Sequence, residues 1–304
     1  MGRGASALGA ETLWPPLPPA AAWEDTRETL HMWTQIVGKI RMAQTPLTNH
    51  WWNVTLYVTT RGLTTSPMPW NGEAFTIDFD FIDHRLVIST TTGAVRTMQL
   101  APRSVAEFHQ QLMARLAELG IHPKISTMPQ EVENPIPFED DTTHARYDAE
   151  VVHRFWRAML QADRVLKIFR SRFRGKASPV HFFWGSFDLA TTRFSGRPAP
   201  PREFSSEMER EAYCDECCSA GWWPGGGKWP EAAFYSYAAP EPPGFAEKAP
   251  RYNPATHLCE LPYEIVRASA DPDATVLDFC QAVYDLTGWS AGVPPAPDGR
   301  PGRQ

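Results

Sequence analysis

The sequence predicts an α+β protein of two pseudo-repeated halves, each a set of antiparallel strands flanked by helices, with the halves able to share one sheet. Three observations carry this expectation. A run of anchors occurs twice: His50-Trp51-Trp52, Thr59-Thr60-Arg61 and Pro67-Met68-Pro69, then His181-Phe182-Phe183, Thr191-Thr192-Arg193 and Pro198-Ala199-Pro200. Residues 75–82 alternate strictly, with Phe75, Ile77, Phe79 and Phe81 on one side and Thr76, Asp78 and Asp80 on the other, the period of a half-buried strand. Apolar residues at steps of three and four open and close each half, the period of an amphipathic helix. The expected organisation is a disordered tail over 1–20, a first half over 21–147, a second half of the same domain over 148–289, and a disordered tail over 290–304.

Taken in order, Asp25-Thr26-Arg27-Glu28 reads as a capping box. The helix behind it runs to about Met42, with Leu30, Trp33, Val37 and Ile40 in a stripe beside a polar row of His31, Gln35 and Lys39. A first strand is expected from Trp51 to Arg61. The alternating strand at 75–82 then turns at Asp83-His84 into Leu86–Ser89, and at Thr92-Gly93 into Val95–Leu100, an antiparallel meander. Ser104 and Glu107 form a second capping box before a helix ending at Gly120, and Lys124–Met128 is an expected strand. Pro129 to Tyr147, rich in proline and acid, is the connector.

Asp148 caps the longest helix, whose buried face is Val152, Phe155, Met159, Ala162, Leu166 and Phe169. The second copy of the echo follows as a strand, then a loop over 198–206. Tyr213–Trp223, Ala233–Ala238 and Leu258–Val266 are expected strands. Asp271-Pro272 starts a last helix, with proline in its first turn, ending at Gly288.

Composition bounds the function. A formal charge of −6 gives no basic field to recruit nucleic acid or an anionic membrane surface. No apolar run reaches the length of a membrane span, and no leader pattern opens the sequence. Five cysteines, an odd number in 304 residues, argue against a disulfide framework and for a cytoplasmic location. Twelve tryptophans supply either core or the walls of a cleft.

Several stretches together carry a family resemblance: Trp33-Thr34-Gln35-Ile36-Val37-Gly38-Lys39-Ile40-Arg41, Asn49-His50-Trp51-Trp52, Arg61-Gly62-Leu63-Thr64-Thr65-Ser66, Asp78-Phe79-Asp80-Phe81-Ile82-Asp83-His84, the run from Gly175 to Asp188, and Ser219-Ala220-Gly221 into Trp223-Pro224-Gly225-Gly226. From Trp14 to Trp289 the chain resembles the bacterial family catalogued as domain of unknown function 5996. The resemblance implies one full-length unit and supplies no reaction, cofactor or catalytic residue. The family pattern does not depend on cysteines near 214–218.

Cys214-Asp215-Glu216-Cys217-Cys218 lacks the second ligand pair a structural zinc site needs, so no metal and no cofactor are expected, and these cysteines read as small strand residues. Gly225-Gly226-Gly227 is followed by Lys228-Trp229 rather than Lys-Ser/Thr, so it reads as a turn and not a phosphate cradle. The basic cluster Lys167, Arg170, Arg172, Arg174 and Lys176 complements a helix C-terminus. Asp78 and Asp80 share one strand face, either a solvated edge or a polar contribution to a site.

His50 and His181, at matching positions beside aromatic residues, are the leading candidates. The expected site is a cleft between the halves. His50 or His181 serves as acid or base, Asp188 or Glu216 orients an imidazole, and Arg61 and Arg193 hold a small anionic or carboxylate-bearing molecule. Trp51, Trp184, Tyr57, Asp78 and Asp80 complete the lining. The alternative is a non-catalytic interaction module using a Trp/Pro-rich surface. Partners are therefore a small molecule rather than nucleic acid or membrane, and the oligomeric state is left open.

Overall fold

The structure, a computed structural model, describes residues 13–204, 206–227 and 229–289. The first half opens with α1 (Glu24–Gln44), continues through β1 (Tyr57–Val58), β2 (Gly62–Thr64), β3 (Met68–Trp70), β4 (Glu73–Asp80), β5 (Arg85–Thr90) and β6 (Val95–Gln99), and closes with α2 (Val105–Ala117). The second half opens with α3 (Ala149–Ser171) and continues through β7 (His181–Phe183), β8 (Asp188–Pro198), α4 (Glu207–Ala212), β9 (Asp215–Trp223) and β10 (Ala233–Ala239). It ends with α5 (Phe245–Lys248), β11 (Tyr252–Asn253), β12 (Leu258–Pro262), α6 (Tyr263–Ala268) and α7 (Pro272–Asp285).

All strand pairings are antiparallel, in two six-stranded sheets: β1-β2-β4-β5-β6 with β3 on β4, and β11-β12-β10-β9-β8-β7. The architecture is therefore α+β with a sheet in each half. The sheets meet at one bridge, where Leu56 and Phe182 exchange two backbone hydrogen bonds of 3.0 and 2.9 Å. The hydrophobic core runs without interruption from Trp14 to Tyr284 through both halves.

Local chemistry explains most element boundaries. The Ser104 hydroxyl accepts from the Glu107 backbone N–H while the Glu107 carboxylate accepts from the Ser104 N–H, the reciprocal box the sequence predicts. Asp148 accepts from the N–H groups of Glu150 and Val151, and Asp271 from that of Ala274. Asp83-His84 makes the β4–β5 turn, with His84 at φ 49°.

Several expectations are corrected. Helix α1 begins at Glu24 behind Trp23, with no side-chain cap, so the Asp25–Glu28 capping box is absent. The long strand at 51–61 is replaced by a turn at Asn49–Trp51 and a two-residue β1. Lys124–Met128 forms no strand, and β12 stops at Pro262, where α6 begins. The echoing stretches also differ in conformation. His50 and Trp51 sit at φ 57° and 60° in a turn, whereas His181 pairs with Ala190 in a ladder. Thr59-Thr60-Arg61 lies between strands, whereas Thr191-Thr192-Arg193 runs inside β8. The order of anchors repeats, but their backbone does not, because His50 is drawn into a turn by partners on α4.

The expected tails fall mostly outside the described residues. Residues 13–20 are described, and they are anchored by Trp14: it is buried against Phe234 and Tyr263, Tyr263 donates to the Pro15 carbonyl (2.9 Å) and Arg267 to that of Trp14 (3.1 Å). An indole buries enough apolar area to anchor a segment that composition alone reads as tail.

Candidate functional site

Strand alternation gives the second sheet two unlike faces. Leu189, Thr191, Arg193, Cys218, Ala220, Trp222, Phe234 and Ser236 are buried beneath the helices. The opposite face carries Asp188, Ala190, Thr192 and Phe194 from β8, Cys217, Ser219, Gly221 and Trp223 from β9, and Tyr235 and Tyr237 from β10, and it forms the floor of a cleft of about 1060 Å³. The walls come from both halves: the first turns of α1, the His50–Trp52 turn and the connector from the first, and α4 with the glycine loop from the second.

The middle of the floor is made of small residues, and this shapes the site. In register, Ala190, Gly221 and Tyr235 form one row, and Thr192, Ser219 and Tyr237 the next. With no side chain at Gly221, the Tyr235 phenol lies across β9 and donates its hydroxyl proton to Asp188 Oδ2 two strands away. A Cβ at position 221 would overlap that phenol and the Leu189 carbonyl. The Ser186 hydroxyl donates to Asp188 Oδ1. Tyr237 stacks beside Tyr235 and hydrogen-bonds the Tyr213 hydroxyl at 2.8 Å.

Asp188 is 6% exposed and has no cationic partner among the described residues. Burial pushes its carboxyl up to about 6, against the pull of the two hydroxyl donors. Glu131, from the connector, lines the same cleft with its side chain still open to solvent; partial desolvation there, and then the charge of Asp188, raises its carboxyl above the usual range. Its backbone is left-handed at φ 56°, an uncommon state for glutamate and one that tends to occur where structure over-determines a functional position.

The polar row of α1 holds these carboxyls in place. His31 Nε2 faces the carbonyls of Trp184 (2.9 Å) and Gly185 (2.8 Å) and lies 3.1 Å from the Gln35 amide nitrogen. Burial drives the His31 imidazole down to about 4, so it is neutral near pH 7. Gln35 bonds both ends of the Gln130 backbone at 2.8 Å, beside Glu131. Thus one helix face fixes the hairpin before Asp188 and the connector before Glu131. The glycine run is a tight turn with φ of 85°, 120° and 56°. It is pressed so closely on Arg27 that a Cβ at Gly226 would overlap the guanidinium.

A second cluster surrounds His50. Its Nδ1 faces the carbonyls of Glu211 and Ala212 at 3.2 Å, and its Nε2 lies 2.6 Å from Lys176 Nζ, which is also 2.6 Å from Asp215. His50, Cys214 and Asp215 place one potential metal-ligand atom each within 4.8 Å of one another. The Lys176 ammonium already bonds two of the three, so their charge is answered within the protein. Cys217 and Cys218 lie buried in β9 and all five cysteines are free. Burial pushes the Cys217 thiol up to about 12, far from a reactive thiolate.

A model of a family of unknown function, DUF5996, matches residues 14–295. The chain belongs to the DUF5996 family. No curated protein and no solved structure matches it.

In this DUF5996 chain, His50, Asp188 and Trp51 line the cleft, while the remaining sequence candidates lie elsewhere. His181 shares the floor face with its ladder partner Ala190 but is buried outside the cleft on β7, with Nδ1 2.8 Å from Thr55 Oγ1 and Nε2 unpartnered, among Trp52, Tyr57 and Phe183. Trp184 is buried over Gly38, donating to the Val54 carbonyl at 2.8 Å. Tyr57 packs against the Arg41 guanidinium. Glu216 accepts from Ser195 and pairs with Arg197, both at 2.7 Å, and orients no imidazole; nor does Asp188.

The two arginines form no clamp. Arg61 is exposed and pairs with Asp80 (2.8 Å) and Asp83 (2.7 Å). Arg193 is 1% exposed on the helix side of β8, bonded to the Phe169 carbonyl and Gln281 and enclosed by Phe169, Phe173 and Tyr284. Asp80 serves the Arg61 pair and the β4–β5 turn, and Asp78 accepts from Thr76. Matching sequence positions thus put one guanidinium in solvent and the other in the core.

Sequence reasoning missed Glu131, Ser186 and Tyr235, and used His31 only as part of a polar row. The signal for Tyr235 is the glycine it covers, visible only once β9 and β10 are paired in register.

Proposed function

We propose that this protein binds a small molecule in the cleft between its halves and exchanges a proton with it through Asp188, with Glu131 as the second carboxyl. The observation that carries this is a buried carboxyl on the floor of a cleft, held by two hydroxyl donors and answered by no cation among the described residues. A structural ion pair would leave such a group ionised and quiet. Here burial brings its proton affinity near neutral pH, where an acid or base is most effective. Free cysteines throughout fit a reducing cytoplasm, and no helix among the described residues is long and apolar enough to cross a membrane.

The rival role, a Trp/Pro-rich partner surface, finds less support. All twelve tryptophans are described and none is exposed. The exposed large apolar residues (Leu13, Leu47, Ile82, Val95, Met128 and Ile265) are scattered along the chain.

The test is a thermal-shift screen of small polar molecules against the wild type, Asp188→Asn and Glu131→Gln. A molecule that binds only the folded chain raises its apparent stability. At least one compound is expected to raise the wild-type Tm and to lose most of that effect in Asp188→Asn. Hits that persist undiminished in both variants, or a screen with no hit in any charge class, would overturn the proposal.

A further inference from the structure

Resting on that reading, we infer that the ligand is a cationic amine carrying an apolar or aromatic body. Three features of the cavity point this way, and none of them is the acidic pair alone.

The first is the charge balance of the lining. Asp188 and Glu131 face the cavity with no described counter-cation. Of the wall imidazoles, His31 is committed to two carbonyls, and His50 to the Glu211 and Ala212 carbonyls and to Lys176. Arg27 is answered on its own helix by Glu24 (3.7 Å) and Glu28 (3.5 Å), and His144 by Asp141 (2.7 Å). Although Arg27 Nε has no partner, the guanidinium lies against the glycine turn, and an anion entering the cavity meets like charge at the floor. An ammonium meets a carboxylate in a poorly solvated site, where charge-assisted hydrogen bonds are strongest.

The second is the wall. Trp223 lies with its ring centroid 4.7 Å from Tyr235 and 4.6 Å from Trp229, and Phe183 and Phe187 line the cavity beside Asp188. Aromatic faces attract cations and repel anions through their quadrupole, most strongly when water is excluded. They also pack an apolar body of the same molecule.

The third is the donor–acceptor inventory at the centre. Tyr235 and Ser186 spend their hydroxyl protons on Asp188. The remaining capacity of the carboxyl pair is to accept, so the complementary ligand group is a donor. An ammonium offers up to three.

The experiment uses benzylamine, benzyl alcohol and benzoate, which share a ring and differ in charge. Binding to the intact protein is followed by calorimetric titration at pH 7.5. Benzylamine is expected to bind more tightly than benzyl alcohol, with benzoate weakest. The double variant Asp188→Asn/Glu131→Gln is expected to weaken benzylamine at least tenfold and leave benzyl alcohol nearly unchanged. Circular dichroism of that variant establishes that it is folded. Benzoate binding as tightly as benzylamine would overturn the amine class while leaving the cleft as a binding site. So would a double variant that keeps full benzylamine affinity. Failure of all three probes at saturating concentration would count against the cleft reading as well.

Discussion

At the scale of single residues, the buried titratable groups oppose one another, and this sets the pH response of the fold. Asp188 rises from an ordinary 3.8 to about 6 on folding because burial disfavours its charge. The folded chain therefore binds that proton more tightly. The resulting stability is present below the unfolded value and is lost as pH rises through about 6. His31 and His181 go the other way, from 6.5 to about 4 and about 3 respectively, chiefly through burial, with Arg41 and then Arg170 adding to the effect at His181. Their stability is present above 6.5 and is lost as pH falls toward those values. Between pH 4 and 6.5 the acid and the imidazoles pull in opposite directions. Asp188→Asn should therefore gain stability relative to wild type as pH rises from 4 to 7, by on the order of 3 kcal/mol for a displacement of about two pH units at 1.36 kcal/mol each. Denaturant titrations at a series of pH values measure this. Curves for wild type and variant that stay parallel would show that the carboxyl is not held protonated by its surroundings.

At the scale of elements, β9 decides whether the carboxyl centre exists. Gly221 sits between Ala190 and Tyr235 in the ladder, and the phenol crosses the space that a side chain would occupy. Gly221→Ala places a methyl group against the phenol on one side and the Leu189 carbonyl on the other, and backbone cannot yield as a flexible side chain does. The expected result is a loss of about 1–3 kcal/mol, the usual range for overpacking. Displacement of the Tyr235 hydroxyl from Asp188 should accompany it. Urea unfolding gives the first, and a raised response of tyrosine absorbance to alkaline pH the second. An alanine variant as stable as wild type, with unchanged tyrosine titration, would contradict this packing. Helix α1 plays the complementary part. Its Gly38 lies under the Trp184 ring, while His31 and Gln35 pin the chain next to Asp188 and Glu131.

At the scale of the whole molecule, the two sheets share one core and one bridge, so the halves have little basis for unfolding separately. Calorimetry should show a single cooperative transition, whereas two resolved transitions would separate the halves. Trp14 extends this unity to the N-terminal segment, where it packs on Phe234 and Tyr263 of the second half. Trp14→Ala should cost about 3–5 kcal/mol, as buried aromatic truncations do, and shift the same transition rather than create a new one.

Much of this architecture is written in local patterns. The helices at α1, α2, α3 and α7, the β4–β5–β6 meander, the Ser104 capping box and the Asp148 and Asp271 caps follow from period, cap and turn chemistry, which act over a few residues. His50 and Trp51 are legible as candidates from the echoed histidine–aromatic anchor, and Asp188 only as an acid able to orient an imidazole, a role it does not take. What the sequence could not decide is which side of a sheet, and which depth, each candidate occupies. Arg61 and Arg193 occupy matching places in an echoed motif, yet one pairs with Asp80 in solvent and the other is walled in by Phe169, Phe173 and Tyr284. Glu131 lies in a proline-rich connector with no periodicity to mark it, and Tyr235 gains its role only by reaching over Gly221 from a neighbouring strand. By itself, the sequence determined the four long helices, the β4–β5–β6 meander and the family, because propensity, capping and period are local. The tertiary structure alone decided the cleft and its carboxyl pair, because burial, register and the absence of a counter-charge are properties of residues far apart in the chain.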